Sequence, residues 1–513
     1  MSSDPPIGAA TSVHALIERR AAASPDAVYA LATASDRAIR YAELARSCRA
    51  IGALLRSQGL RAGDTLSVVM PNGLQTLRVL LGAMHAGLIV NPVNLLAQPE
   101  QMRYVLGHSD CQLVCVAPEW AQRVGEMLAG LGRKVIVLVA DPDGERLPGE
   151  ADAPAASPTA APPPDAVALL MYTSGTTGVP KGVMLTQANL AANAQAIGTE
   201  HGLTARDRVL AVLPLYHINA FAVTMLAPLA HGGSLAMAPK FSVARFWEQA
   251  ALAHCTWINL VPTMISYLLE GQTPARAQTL SIRFCRSASA ALPPEHHRAF
   301  EQAFGIGIIE TMGLTETAAP SFSNPLDASA RKLGSVGRAS GCEARVIDSA
   351  LRPVPVGVTG ELAIRGPNVM RGYYKDDEAS RASFTADGWL RSGDLGHVDA
   401  DGFFFVTGRI KELIIKGGEN IAPREIDEVL LRHPGVLDAA AVGIPDRHYG
   451  QVILACIVVR DGAACSEDSL RAFCTEHLGP YKTPTLFRFV AELPRGPSGK
   501  VQRLKLLALP GTP

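Results

Sequence analysis

Apolar positions along this chain recur in two alternating rhythms. His14-Ala-Leu-Ile-Glu-Arg-Arg-Ala-Ala-Ala carries helical spacing, and residues 41–58 carry a longer version of it. Between Leu66 and Pro118, unbroken apolar runs (Leu66-Ser-Val-Val-Met70 and Leu113-Val-Cys-Val116) flank a helical stretch from Leu74 to His85. Short apolar runs alternating with helices predict βαβ units and a mostly parallel sheet. The rhythm stops over residues 141–165, where Pro154, Pro158, Pro162, Pro163 and Pro164 stand among Ala and Asp. That composition predicts a solvated linker. Alternation resumes with strand-like Val209-Leu-Ala-Val-Leu213, a helix from Phe246 to His254, and strand-like Trp257-Ile-Asn-Leu-Val261.

From about residue 340 the pattern changes to short β-rich pieces with glycine turns: Ala344 to Asp348, Gly360 to Arg365, and Gly402 to Gly408. These predict antiparallel strands. The last hundred residues read as a small α+β unit. Helices are expected over 425–432 and 466–477, with strands over 439–443 and 452–459. The expected fold is α/β. A large N-terminal domain (1–408) holds mixed βα subdomains and a small β-barrel-like part, and a small α+β C-terminal domain (409–513) follows.

A chain of 513 residues exceeds what one core usually holds, in keeping with two domains. Hydrophobic residues at 48% and charged residues at 18% describe a globular protein. Lys+Arg and Asp+Glu both total 47, which argues against a bulk electrostatic partner such as nucleic acid or an anionic membrane. The nine cysteines form no C-x-x-C pair and read as reduced thiols of a cytoplasmic protein. Met1-Ser-Ser-Asp-Pro-Pro lacks the features of a signal peptide, and the apolar stretch 218–230 is too short to span a membrane.

Candidate chemistry centres on Tyr172-Thr-Ser-Gly-Thr-Thr-Gly-Val-Pro-Lys181, which follows an apolar strand-like run from Val167. Gly175 and Gly178 let backbone N–H groups approach an anion, while Thr173, Ser174, Thr176, Thr177 and Lys181 add donors. The spacing excludes a Walker A loop, in which the lysine follows the second glycine directly. A Ser/Thr/Gly cluster also serves as a plain surface connection. The order T-S-G-T-T-G-x-P-K-G, however, resembles the phosphate loop of the adenylate-forming superfamily, which contains acyl-CoA synthetases, luciferases and peptide-synthetase adenylation domains.

Further segments resemble the same superfamily in the same order, across nearly the whole chain. Leu213-Pro-Leu-Tyr-His217-Ile-Asn219 is similar to the segment whose histidine adjoins the acyl pocket and incoming thiol, with Asn219 at a pocket-lining position. Ser287-Ala288-Ser-Ala-Ala-Leu292 resembles S-G-A-A-P-L, a wall of the adenine and acyl pockets. Its Ala288 narrows the cavity if it faces inward, and otherwise packs behind the wall. Glu310-Thr311-Met312-Gly-Leu-Thr315-Glu316 resembles Y-G-[ML]-T-E, with Met312 in place of the tyrosine that contacts the nucleotide. The resemblance gives Thr315 the α-phosphate and makes Glu316 the Mg²⁺ ligand, a usual arrangement for a hard cation that takes few protein carboxylates.

Trp389-Leu-Arg-Ser-Gly-Asp394 resembles W-x-x-T-G-D, whose aspartate accepts both ribose hydroxyls. Gly408-Arg409-Ile-Lys411, continuing to Gly417-Gly418, resembles the interdomain motif. In it Arg409 reaches ribose or phosphate, Lys411 is the hinge, and the glycine pair approaches the thiol. Pro494-Arg-Gly-Pro-Ser-Gly499-Lys500 resembles P-x-x-x-S-G-K, which implies that Lys500 delivers its charge to the carboxylate and α-phosphate.

The resemblance implies an ATP-dependent acid–thiol ligase with Mg²⁺. A carboxylate and ATP would form an acyl-adenylate and pyrophosphate, and a thiol, expected to be CoA, would then displace AMP. The mobile C-terminal domain would pivot at Lys411 between the steps. Thirteen residues follow Lys500, so a carrier domain in cis is not expected. A separate carrier protein with a phosphopantetheine arm remains the alternative acceptor, and a nucleotide-binding regulator without catalysis is a rival of another class. Asn219, Ala288, Thr311 and Met312 suggest a compact, partly polar acyl pocket for a small or short-chain acid. The segments around Gly233, Phe241-Ser-Val-Ala-Arg-Phe-Trp247 and Arg286-Ser-Ala-Ser also look like ligases for small polar acids such as oxalate, and an aromatic acid stays open.

Overall fold

The computed structural model describes residues 11–153, 160–173, 179–496 and 500–510. Its strands form four sheets. In a seven-stranded sheet the spatial order is Gly372–Tyr373, Lys181–Thr186, Val167–Thr173, Ile89–Pro92, Thr65–Val69, Leu113–Val116, Ile136–Val139. Pairing is parallel from Val167–Thr173 through to Ile136–Val139, and antiparallel at the other edge. Every residue of Thr65–Val69 and of Leu113–Val116 is buried, because helices cover both faces. The expected helix 74–85 is found as Leu74–His85, wholly buried, and the expected helix 41–58 as Tyr41–Ser57.

A nine-stranded sheet is parallel along its central run: Ile308–Leu314, Phe284–Ser287, Trp257–Leu260, Arg208–Ala211, Ser234–Met237, Val28–Ala32. Antiparallel strands flank it on both sides. The apolar stretch 218–230 becomes a widened helical turn, Asn219–Leu226, running into the helix Ala227–His231, and both are buried almost throughout. No helix among the described residues is long and apolar enough to cross a membrane.

The β-rich region forms a four-stranded antiparallel sheet of Glu343–Ile347, Gly360–Arg365, Leu390–Val398 and Phe404–Arg409. The last sheet is built on the long pair Val436–Asp446 and Gly450–Val459, covered by the helices Pro423–Leu430 and Glu467–Lys482. Its two hydrophobic clusters draw only on residues from Ile414 onward, so a small C-terminal domain has its own core.

One expectation needs correction. Residues 141–153 are more than a solvated linker. Leu147 is buried in the main core, and Glu150 pairs with Arg78 at 2.5 Å with both side chains nearly inaccessible. Composition averaged over the stretch hides these two anchors.

Candidate active site

A cavity of about 890 Å³ opens outside the carboxyl ends of the parallel strands, the usual place for ligands in sheets of this kind. Thr173 ends one strand; Tyr216 to Asn219, Val261, Ala288, Ser289, Thr315 and Glu316 follow four others, and all line the cavity. Arg409, Lys411 and Lys500 line it from the far side. Thr173 and Lys181 face each other across the hairpin that carries the phosphate-loop sequence. Ser174, Gly175, Thr176, Thr177 and Gly178 lie outside the described residues.

At this end the groups are cationic donors and acids; Asp394 itself is not among the lining residues, though Gly393 and Arg409 beside it are. Lys181 sits 4.9 Å from the centre of the Tyr373 ring and 3.9 Å from Asp376 Oδ2. Tyr373 donates its hydroxyl hydrogen to Glu316 Oε1 at 2.8 Å. Arg409 Nε donates to Asp394 Oδ1 at 2.8 Å from the adjacent strand, while Asp394 Oδ2 is buried with no hydrogen-bond partner among the described residues. Burial raises the Asp394 carboxyl above its ordinary pKa, against the pull of Arg409 and Lys500. Lys500 is exposed yet hemmed in by the cleft walls. That crowding and the repulsion of Arg409 draw its pKa down to about 8, opposed by Asp394, Glu316 and Glu412.

Around His217 and Asn219, where the sequence expects the acid, neutral polar groups stand among apolar ones such as Ile218 and Val261. His217 is half-buried in the cavity wall, and desolvation there lowers its pKa to about 4, so the imidazole is uncharged at neutral pH. Its Nε2 is buried without a described partner. Asn219, also buried, accepts from Asn259 Nδ2 at 3.2 Å and donates to Ser289 Oγ at 3.3 Å.

Not every expected residue reaches the cavity. Successive strand residues point to opposite faces. Along Ile308–Leu314, Thr311 and Gly313 line the cavity, while Glu310 and Met312 face away. Met312 packs on the cluster around Phe322 and Phe404. Burial pushes the Glu310 carboxyl up to about 7, with Arg424 of the C-terminal domain opposing. Gly313 must be glycine, since a Cβ there would fall 1.9 Å from the Ala319 oxygen. Gly417 and Gly418 turn a hairpin at φ +55° and +86° and do not line the cavity.

Comparison with known proteins decides what this cavity belongs to. Residues 17–374 match the AMP-binding enzyme family, and residues 425–500 match the AMP-binding enzyme C-terminal domain.

The chain belongs to the AMP-binding enzyme family.

It is an ATP-dependent, AMP-forming acyl-CoA synthetase, an acid–thiol ligase that works through an acyl-AMP. A sulfoacetate–CoA ligase of Cupriavidus necator is 59% identical, covering 96% of this chain and 97% of that protein. An oxalate–CoA ligase of Arabidopsis thaliana is 34% identical over 89% of this chain and 90% of its own length. ATP-bound MatB from Rhodopseudomonas palustris superposes with a TM-score of 0.90 at 30% identity, covering 96% and 98% of the two chains. The apo form of MatB superposes less well, at 0.81.

Several lining residues of this AMP-binding enzyme carry no motif signal. Tyr373 holds Glu316 and covers Lys181. Glu361 accepts from Arg391 at 2.9 Å and from the Gly393 backbone N–H at 3.0 Å, which fixes the turn presenting Asp394. A buried acid opposite W-x-x-S-G-D was the available clue, but it lies some thirty residues upstream and meets the turn only through strand pairing.

Proposed function

We propose that this ligase activates a short acid bearing a second anionic group, with sulfoacetate the leading candidate, and that the thioester is made on CoA. The observation that carries this reading is the chemistry of the acyl end. Asn219, Ser289, Thr311 and the neutral His217 line it with amide, hydroxyl and imidazole groups. A long alkyl chain would offer no partner to the Ser289 hydroxyl hydrogen or to His217 Nε2, which is unfavourable. The 59% identity to a sulfoacetate–CoA ligase supports the same class of acid.

In this reading the acid's carboxylate attacks the α-phosphorus of ATP. Lys500, Lys181 and Thr315 offset the charge on the phosphate oxygens, and Asp394 and Arg409 hold the ribose. Ala288 and His217 bound the acyl end. Glu316 fits a magnesium site: Tyr373 takes one of its oxygens, and the described residues give the other no hydrogen bond. Mg²⁺ there would neutralise phosphate charge. With the division at 408/409, the C-terminal domain would pivot at Lys411, withdrawing Lys500 and bringing Gly417 and Gly418 to the thiol. The nine cysteines, all free thiols, support a cytoplasmic setting.

The test is kcat/KM across acids from C2 to C12, with sulfoacetate, oxalate, malonate and benzoates included, using free CoA and a holo-carrier protein in parallel. The reading expects sulfoacetate or another short dianion with CoA to lead. Preference for dodecanoate or a benzoate would overturn the acid class, and preference for the carrier would overturn the acceptor.

A further inference from the structure

Behind the acyl end lies a charge that the roles above leave unused. Arg286, on the strand Phe284–Ser287, is wholly buried. Its Nη1 donates to Asn259 Oδ1 at 3.0 Å and its Nη2 to Thr311 Oγ1 at 2.7 Å, both neutral acceptors, and Nε has no partner among the described residues. Burial draws its pKa down to about 9, so it remains cationic at neutral pH, and no described carboxylate offsets it. An uncompensated buried cation destabilises a fold. Thr311, which it touches, lines the cavity.

A guanidinium has donors only, and that fixes the polarity of the groups attached to it. Asn259 turns its oxygen toward Arg286, so its Nδ2 donates away, to Asn219 Oδ1 at 3.2 Å. Asn219 then directs its own Nδ2 to Ser289 Oγ at 3.3 Å. Ser289 has accepted a hydrogen bond, so its hydroxyl hydrogen is left to donate into the cavity that Asn219 and Ser289 both line. Ser289 sits at φ +74°, a left-handed backbone that a non-glycine residue rarely adopts. Such strain is typically retained where a side chain must be held in one place.

We propose that the relay from Arg286 through Asn259 and Asn219 to Ser289 reads the second anionic group of the acid, a sulfonate or carboxylate at the end away from the reacting carboxyl. The proposal rests on the short-dianion reading of the cleft and names the residues behind it. Arg286 is a positioning residue. It acts through its neighbours, orienting and polarising the Ser289 hydroxyl, and adds an attraction that a neutral acid does not use.

The test compares sulfoacetate, malonate and propanoate as substrates for the wild type, Arg286→Met and Ser289→Ala. The ratio of kcat/KM for the two dianions to that for propanoate is expected to fall about 30- to 100-fold in Arg286→Met and about 10-fold in Ser289→Ala, as for lost hydrogen bonds to a charged group. The sulfoacetate and malonate arms separate a sulfonate from a carboxylate preference. A loss shared equally by all three acids would overturn the relay, because it marks a purely structural role. Should Arg286→Met fail to fold, Ser289→Ala decides alone, and an unchanged ratio there overturns the relay. A wild type that favours propanoate overturns the short-dianion reading itself; a wild-type dianion preference that both variants keep overturns the relay only.

Discussion

Arg409 donates to one oxygen of Asp394 at 2.8 Å, while the other oxygen of the same carboxylate is buried and bonded to nothing described. A buried acceptor without a partner is unfavourable until a donor arrives. A ribose hydroxyl is such a donor, and Arg409 pulls the carboxyl toward its charged form against the burial that raises its pKa. Asp394→Asn removes that charge and the strongest partner of Arg409, leaving Glu412 and Glu316 to act on it. The KM for ATP is expected to rise about 10-fold or more, the scale of a hydrogen bond to a charged group. Initial-rate measurements at varied ATP check this, and an unchanged KM would remove Asp394 from the nucleotide site.

The role proposed for Lys500 gives the adenylation step a pH dependence of definite sign. Crowding by the cleft walls, aided by Arg409, brings its pKa to about 8 in the free protein. The cationic form is the one that offsets phosphate charge, so its contribution is complete below that value and lost as pH rises through it. The kcat/KM for ATP in the pyrophosphate-releasing step should therefore decline above about pH 8, and Lys500→Arg should move the decline to higher pH. A flat profile to pH 9.5 would contradict the assignment.

Glu150 and Arg78 join the stretch 141–153 to the first large sheet through a buried pair at 2.5 Å, with side-chain exposures of 6% and 7%. Glu150→Ala strands the guanidinium. The expected loss of stability is about 3 kcal/mol, typical of breaking a buried pair from one side. Thermal unfolding should show a clear fall in Tm, whereas removal of an exposed pair such as Arg365–Glu343 should change Tm little.

How much of this was legible beforehand depended on whether a signal was local. Buried parallel strands read as solid apolar blocks, so Leu113–Val116 and the helix Leu74–His85 were placed to the residue. Motif neighbours were less safe. Thr311 and Met312 are adjacent in the sequence, yet the two-residue period of a strand sends only the first into the cavity. The hydrogen-bonded chain from Arg286 to Ser289 was the least legible part. Asn219, Asn259, Arg286 and Ser289 are spread over seventy positions, and Asn259 meets Arg286 only because their strands pair in parallel register.

The convergence of Lys500 with Lys181, Thr315 and Glu316 on one cavity is the claim on which the rest stands. The direct measurement separates the half-reactions of Lys500→Ala: pyrophosphate release from ATP with sulfoacetate, and thioester formation from pre-made acyl-adenylate and CoA. The account predicts that the first falls on the order of 10²-fold or more, the scale of losing a transition-state contact, while the second falls far less. Pyrophosphate release at the wild-type rate would contradict it.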